Sequence, residues 1–336
     1  MRLEHLGLAG GSRRTTVILG AGASRGASFV TGRVGVLPPL DLDFFQQVAR
    51  LKTCDEGTRL LAFVREEHIN ELRLSMEQFF SEADYTNRFH SELNVDKGAR
   101  VRRYDRALSD FYVVVAQVMG ASTVGTCEFH GRIAKLLSSG DSVLSFNYDC
   151  IMDAALRDSG GNRWDPARGG YGFDIGGNRD AWRHPTKGKP PKRSIKLLKM
   201  HGSLNWTLAG AAVSLRADGR PSSAMGSIIP PSWFKSLTAE PYASVWKEAR
   251  MAIRAARVLI VVGYSIPQTD LFSQSLLKVE AGSKLKREKL DALVLVNPDR
   301  DARRRFLDIV RGGLESSTRV LEYESMEVLN ERLSSE

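Results

Sequence analysis

The 336-residue chain holds only three cysteines, Cys54, Cys127 and Cys150, and no two of them form a C-x-x-C pair. That rules out a disulfide framework, and one chain cannot assemble a four-cysteine zinc site. Long apolar runs are missing too. The nearest, Phe111 to Gly120, is far short of the roughly 18 residues that a membrane-spanning helix needs. The first residues, MRLEHLGLAGGSRRTT, lack the continuous apolar segment of a secretory signal, so a cytoplasmic address is expected. No internal repeat is apparent, which argues against solenoids and propellers.

What remains is ordinary for a folded chain: 42% hydrophobic and 26% charged residues exclude disorder, collagen and coiled coil. The length suits two domains or one large α/β domain carrying an insertion. The net charge of +9 is concentrated at Arg100–Arg106, His184–Lys196 and Arg300–Arg305. Such clusters serve nucleic acid in some proteins and form a solvated surface, or a site for an acidic partner or anionic cofactor, in others. No aromatic interleaving suited to single strands accompanies them.

Apolar and β-branched runs mark strands at Thr15–Leu19, Ser142–Phe146, Ser194–Met200, Gly226–Ile229, Val258–Val262, Ala292–Val296 and Thr318–Tyr323. Helical patterns alternate with the later ones: Asp149–Arg157, Glu240–Arg257, Asp270–Glu280, Asp299–Val310 and Ser325–Leu333. This alternation predicts an α/β fold with a parallel sheet and helices on both faces. Residues 41–138 interrupt it as a helical insertion, with helical runs at Leu60–Phe80, Arg103–Met119 and Phe129–Leu137. The Gly-, Pro- and Asp-rich stretch Asp158–Pro191 reads as a long loop or flap.

Chemistry-bearing residues recur where these strands end, the edge at which an open α/β sheet binds ligands. Gly20, Ala21, Gly22 and Ser24 follow the first strand, either as a structural turn or as a loop cradling a pyrophosphate. The spacing departs from G-x-G-x-x-G, no acidic residue about 20 positions on ends a second strand, and the missing βαβ return disfavours an ordinary dehydrogenase. Asn147 and Asp149 follow the second strand; Asp149 serves equally well as a helix cap. His201 stands at another strand end, beside a glycine, as the side chain best suited to move protons near neutral pH. Gly263 and Ser265 follow Val258–Val262, with Asp270 as a helix cap, and Asn297 follows Ala292–Val296.

This ordered set resembles the sirtuins, NAD-consuming enzymes with a Rossmann-like core. Gly20–Ser24 (GAGAS) is similar to their glycine loop, Phe146-Asn147-Tyr148-Asp149 to their Gln-Asn-Ile-Asp, and His201-Gly202 to their catalytic His-Gly. Gly263-Tyr264-Ser265 is similar to their Gly-Thr-Ser, and Val296-Asn297 to their hydrophobic-Asn pair. The zinc-ribbon cysteines and the Pro-Asp-Phe-Arg stretch of the deacylating members are absent. The form here, FNYD, HGSLNW and GYSxPxxD with a helical insertion, resembles the bacterial sirtuin-like NAD hydrolases of anti-phage defence.

The resemblance implies one Rossmann-like catalytic domain over residues 13–332 that uses NAD as substrate and needs no metal. Asn147 and His201 would be catalytic, with Asp149 in support. Gly20, Ala21, Gly22, Ser24, Gly263, Ser265 and Asn297 would hold the dinucleotide. It also implies NAD depletion on activation, homo-oligomers, and a HerA-type ATPase or another defence protein as partner. Nucleic acid would enter only indirectly or through the basic patches, and no membrane is expected. The rival readings are an NAD- or ADP-ribose-binding regulatory subunit, a zinc-independent protein deacylase, and a nucleic-acid-binding accessory subunit.

Overall fold

A computed structural model describes residues 14–30, 35–51, 54–67, 74–93, 98–176, 182, 193–210, 212–216, 227–230, 237–267, 270–282 and 289–334. Six parallel strands form the central sheet: β1 (Thr15–Leu19), β2 (Ser142–Ser145), β3 (Lys196–Lys199), β6 (Val258–Val262), β7 (Ala292–Val296) and β8 (Arg319–Tyr323). Their order is β3-β2-β1-β6-β7-β8. The chain builds outward from β1 in one direction, then returns and builds outward in the other. This is the doubly wound Rossmann order, with its switch point between β1 and β6. The pairing is in register there, with Val17 opposite both Val143 and Ile260.

Burial follows from composition. β1, β6 and β7 are apolar or β-branched throughout and buried along their whole length, as strands covered on both faces require. β8 lies at the sheet edge and is largely exposed, with polar Arg319 and Glu322. On one face, α6 (Glu128–Leu136) packs against α7 (Ile151–Ser159) and α11 (Met326–Ser334). Another helical row consists of α8 (Tyr242–Ala255), α9 (Leu271–Glu280) and α10 (Arg300–Val310), each packed on the next.

Between β1 and β2 the chain forms α1 (Ala21–Arg25), α2 (Phe44–Arg50), α3 (Asp55–Glu67), α4 (Met76–Glu92) and α5 (Ala99–Ser122). Phe44, Phe45, Phe79 and Phe111 pack edge-on and tilted in a separate core there. That core also takes in Tyr148, Leu204 and Ile228, so the inserted helices seat directly on the loops that leave β2 and β3. Ile133 and Ala134 of α6 belong instead to the core of the sheet.

Four readings from the sequence change. Leu60–Phe80 is two helices, since α3 ends at Glu67 and Ser75 caps α4 by accepting from the Gln78 N–H. Around Gly226–Ile229 there is no strand among the described residues, only an isolated bridge from Ile228 to Gly202. The Asp158–Pro191 stretch is anchored rather than flap-like in its described part. Trp164, Tyr171 and Ile175 are buried in the core, and the Leu197 N–H donates to the Gly170 carbonyl. A hairpin of β4 (Trp206–Ala209) and β5 (Ala212–Leu215) was not anticipated; its inward residues Trp206, Val213 and Leu215 join the sheet core. No helix among the described residues is long and apolar enough to cross a membrane.

Candidate functional site

The glycines after β1 are explained first by backbone contact. Gly20 N–H donates to Val262 O at 3.0 Å, and Gly22 N–H to Gly263 O at 2.9 Å. A Cβ on Gly20 would lie 2.5 Å from the Gly263 carbonyl oxygen, and one on Gly263 2.2 Å from the Ala23 nitrogen. Gly263 also has φ +60°, a region where glycine alone is unstrained. The two loops at the switch point thus touch backbone to backbone. Ala21 is exposed on the rim and Gly22 half-buried.

Asn147 binds this loop directly. Its Nδ2 donates to Gly20 O at 2.8 Å and to Ser24 Oγ at 2.9 Å, which commits both amide hydrogens. Ser24 Oγ in turn donates to Asp149 Oδ2 at 2.5 Å, and Asp149 Oδ1 accepts from the Ile151 N–H at 3.0 Å. Asp149 therefore does the local capping work at the start of α7 and also locks the glycine loop. A cleft of about 230 Å³ beside it is lined by Asp149, Cys150, Ile151, Leu204, Trp182 and the end of α5.

His201 follows β3 and is 9% exposed. Its ring meets Phe146 edge-on, centroids 5.4 Å apart, and Nε2 lies 3.9 Å from Asp270 Oδ2. Phe146 stacks on Tyr264 at 4.3 Å with planes 7° apart. Asp270 also accepts from Ser273 Oγ at 2.6 Å and from the Tyr264 hydroxyl at 3.2 Å. Burial, then the Asp270 charge, pushes the Tyr264 phenol well above its ordinary range, so this hydroxyl is a donor at neutral pH. Asp270 was legible from the sequence only as a cap of α9, which it is. Its second role depends on the loop after β6 reaching back over β1 and β2, which no local pattern encodes. Glu77 of α4 is another buried carboxylate, close enough to raise both the Tyr148 and Tyr264 phenols.

The rest of the HGSLNW run is structural. Ser203, Asn205 and Trp206 are buried. Asn205 Nδ2 donates to Tyr171 Oη at 3.0 Å and to Asp153 Oδ1 at 3.2 Å. Asp153, fully buried, lies 3.4 Å from Lys199 Nζ, which also donates to the Asp149 carbonyl. Burial lowers the Lys199 pKa, but the neighbouring acidic groups, Asp153 foremost, together more than restore it, so the ammonium stays charged. This network ties the end of β3, which carries His201, to the segment after β2, which carries Asp149.

Ser265 and Asn297 stand farther along the rim, after β6 and β7. The Ser265 side chain is exposed, and its carbonyl accepts from Arg305. Asn297 Oδ1 accepts from the Asp299 N–H at 3.0 Å in a turn that opens α10. Of the nearby basic cluster, Arg303 pairs with Glu322 at 2.7 Å and Arg305 with Asp299 at 3.5 Å, so much of its charge is neutralised internally. No cluster of three or more His, Cys, Asp or Glu that would hold a metal ion occurs among the described residues.

A parallel sheet in doubly wound order, with glycine, amide and imidazole groups at its carboxyl ends, defines a Rossmann-like α/β protein. No family model and no curated protein matches the chain.

Proposed function

We propose that this protein hydrolyses NAD, breaking the nicotinamide–ribose bond to give nicotinamide and ADP-ribose. The observation that carries this reading is that His201 and Asp270 meet above the strand tips, beside the glycine loop that Asn147 holds. Nicotinamide leaves as a neutral ring from a pyridinium, so its departure needs little acid catalysis. The demand is instead on the cationic ribose and on the water that attacks it.

In this mechanism His201 takes a proton from that water or from a ribose hydroxyl, and Asp270 steadies the imidazolium that results. Asn147, both of whose amide hydrogens hold the loop, offers its carbonyl oxygen to the ribose or the water. Gly20, Ala21, Gly22 and Ser24 shape the wall for the pyrophosphate, with Gly263 against them. Ser265 and Asn297 serve the adenosine half, and Asp149 stands over a cleft of a size for a small ring. The role of an NAD-depleting effector in anti-phage defence, acting as an oligomer with a partner ATPase, belongs to the same proposal and rests on the sequence resemblance.

The test is incubation of the purified chain with NAD, alone and with candidate partners, followed by chromatography of the products. Nicotinamide with ADP-ribose supports hydrolysis, and intact NAD under every condition overturns it. One observation favours a binding module instead: Ser24, Asn147 and Asp149 are already bonded to one another, as in a preformed recognition loop. Calorimetry showing NAD or ADP-ribose binding without turnover would select that reading.

A further inference from the structure

Helices α8 and α9 lie side by side, and their seam carries an uncommon pairing of exposed apolar and unneutralised basic groups. The buried stripes of α8 (Tyr242, Val245, Ala249, Ile253) and of α9 (Ser273, Leu277) are directed inward. Helical spacing then places Trp246 of α8 next to Phe272 of α9 as the floor of the seam, with ring centroids 6.3 Å apart. Beside it stands Val279, also of α9; Phe272 and Val279 are exposed by 45% and 56%.

Lys247 and Arg254 flank these side chains from α8; both are exposed and have no acidic partner among the described residues. The acids of the two helices are already engaged, Glu248 with Lys196 and Glu280 with Arg250 at 2.6 Å. An isolated exposed side chain is unremarkable, but an apolar seam between two helices, edged by free cations, has the form of a groove for an amphipathic helix.

We propose that the α8–α9 seam docks a helix of a partner protein, with apolar residues facing Phe272 and Val279 and carboxylates facing Lys247 and Arg254. Charge decides between occupants. A second copy related by a two-fold axis would bring Lys247 and Arg254 against their own kind. A nucleic acid would use the cations but leave Phe272 and Val279 unmatched.

The experiment uses the full chain and two fluorescein-labelled helical peptides of about 18 residues, with the same leucine stripe and either Glu or Lys flanks. In fluorescence polarisation the Glu peptide is expected to bind at least about tenfold tighter than the Lys peptide, and Phe272→Glu to lower that affinity by at least about tenfold. The double variant Lys247→Glu/Arg254→Glu is expected to reverse the preference between peptides. These positions are exposed, and circular dichroism verifies that each variant is folded. Equal binding of the two peptides, or binding indifferent to Phe272→Glu, overturns the proposal. So does a dimer in light scattering that Phe272→Glu dissolves, or attachment to anionic vesicles with neither peptide bound. No readout involves NAD, so failure here and failure of the hydrolase reading are separable.

Discussion

His201 stands at the end of β3 and its carboxylate neighbour Asp270 follows β6, yet Nε2 and Oδ2 lie only 3.9 Å apart. Two strands, β2 and β1, separate β3 from β6 in the sheet. At about 4.8 Å per strand the loop after β6 has crossed most of the rim to make this pair. The Phe146–Tyr264 stack fills the space beneath. The crevice is thus closed over by its own loops around one imidazole.

Asp270→Asn keeps the cap of α9, because asparagine caps as well as aspartate, but removes the charge facing His201. NAD turnover is expected to fall at least about tenfold. Undiminished turnover would show that Asp270 acts only as a cap.

His201→Ala and Asn147→Ala are each expected to lower turnover at least about a hundredfold. They should differ in stability. Asn147→Ala leaves the Ser24 hydroxyl without its donor in a buried site and removes one of the two donors to the Gly20 carbonyl, and is expected to cost about 1–3 kcal/mol. His201→Ala removes a ring that packs on Phe146 but no hydrogen bond of the glycine loop. Thermal denaturation beside product chromatography separates the two effects.

Gly263→Ala is expected to destabilise the fold by about 2–5 kcal/mol, combining left-handed strain with overpacking against the first loop. Gly120→Ala is the control: this glycine lies in α5 with nothing within 4 Å of a Cβ, and alanine there is expected to stabilise by up to about 1 kcal/mol. Urea denaturation measures both.

Lys199→Met strands the Asp153 carboxylate in the core and is expected to cost about 3–5 kcal/mol. Adding Asp153→Asn should recover part of that loss, since the charge is removed while Tyr171 and Asn205 keep a partner. A double variant no more stable than Lys199→Met would refute the pairing.

Cys127 occupies the N-cap position of α6 without a side-chain capping bond; its Sγ lies 3.0 Å from His130 Nδ1 and accepts from the Ser28 N–H. Burial alone would raise this thiol, but the His130 contact outweighs it and brings the pKa from 9.0 to about 6. Below about 6 the thiol is protonated whether the chain is folded or not. Between there and 9.0 the folded state has lost a proton that the unfolded chain still holds, so this group's stabilisation rises with pH. Accordingly, Cys127→Ala is expected to destabilise little at pH 6 and progressively more towards pH 9. Cys150, raised by burial and by Asp153, should show no such trend below pH 9. Denaturant midpoints across this range check both.

The sheet was legible in the sequence because β1, β6 and β7 are continuous apolar or β-branched runs, and only a strand covered on both faces tolerates that composition. The candidate residues at the strand ends were legible too, since glycine, asparagine and histidine interrupt those runs at the carboxyl edge. What those side chains bond to was not. Asn147 turns to the loop after β1, Asp149 closes on Ser24, and Asn205 bonds the buried Asp153 and Tyr171. The β4–β5 hairpin escaped because its short strands have a weak pattern and pair only with each other. Periodicity records which side of an element faces the core; which remote residue it meets there depends on strand order and loop path. The sequence alone therefore determined a doubly covered parallel sheet with polar strand ends. Only the tertiary structure decided that His201 would find Asp270, because that meeting depends on a loop folding over two intervening strands.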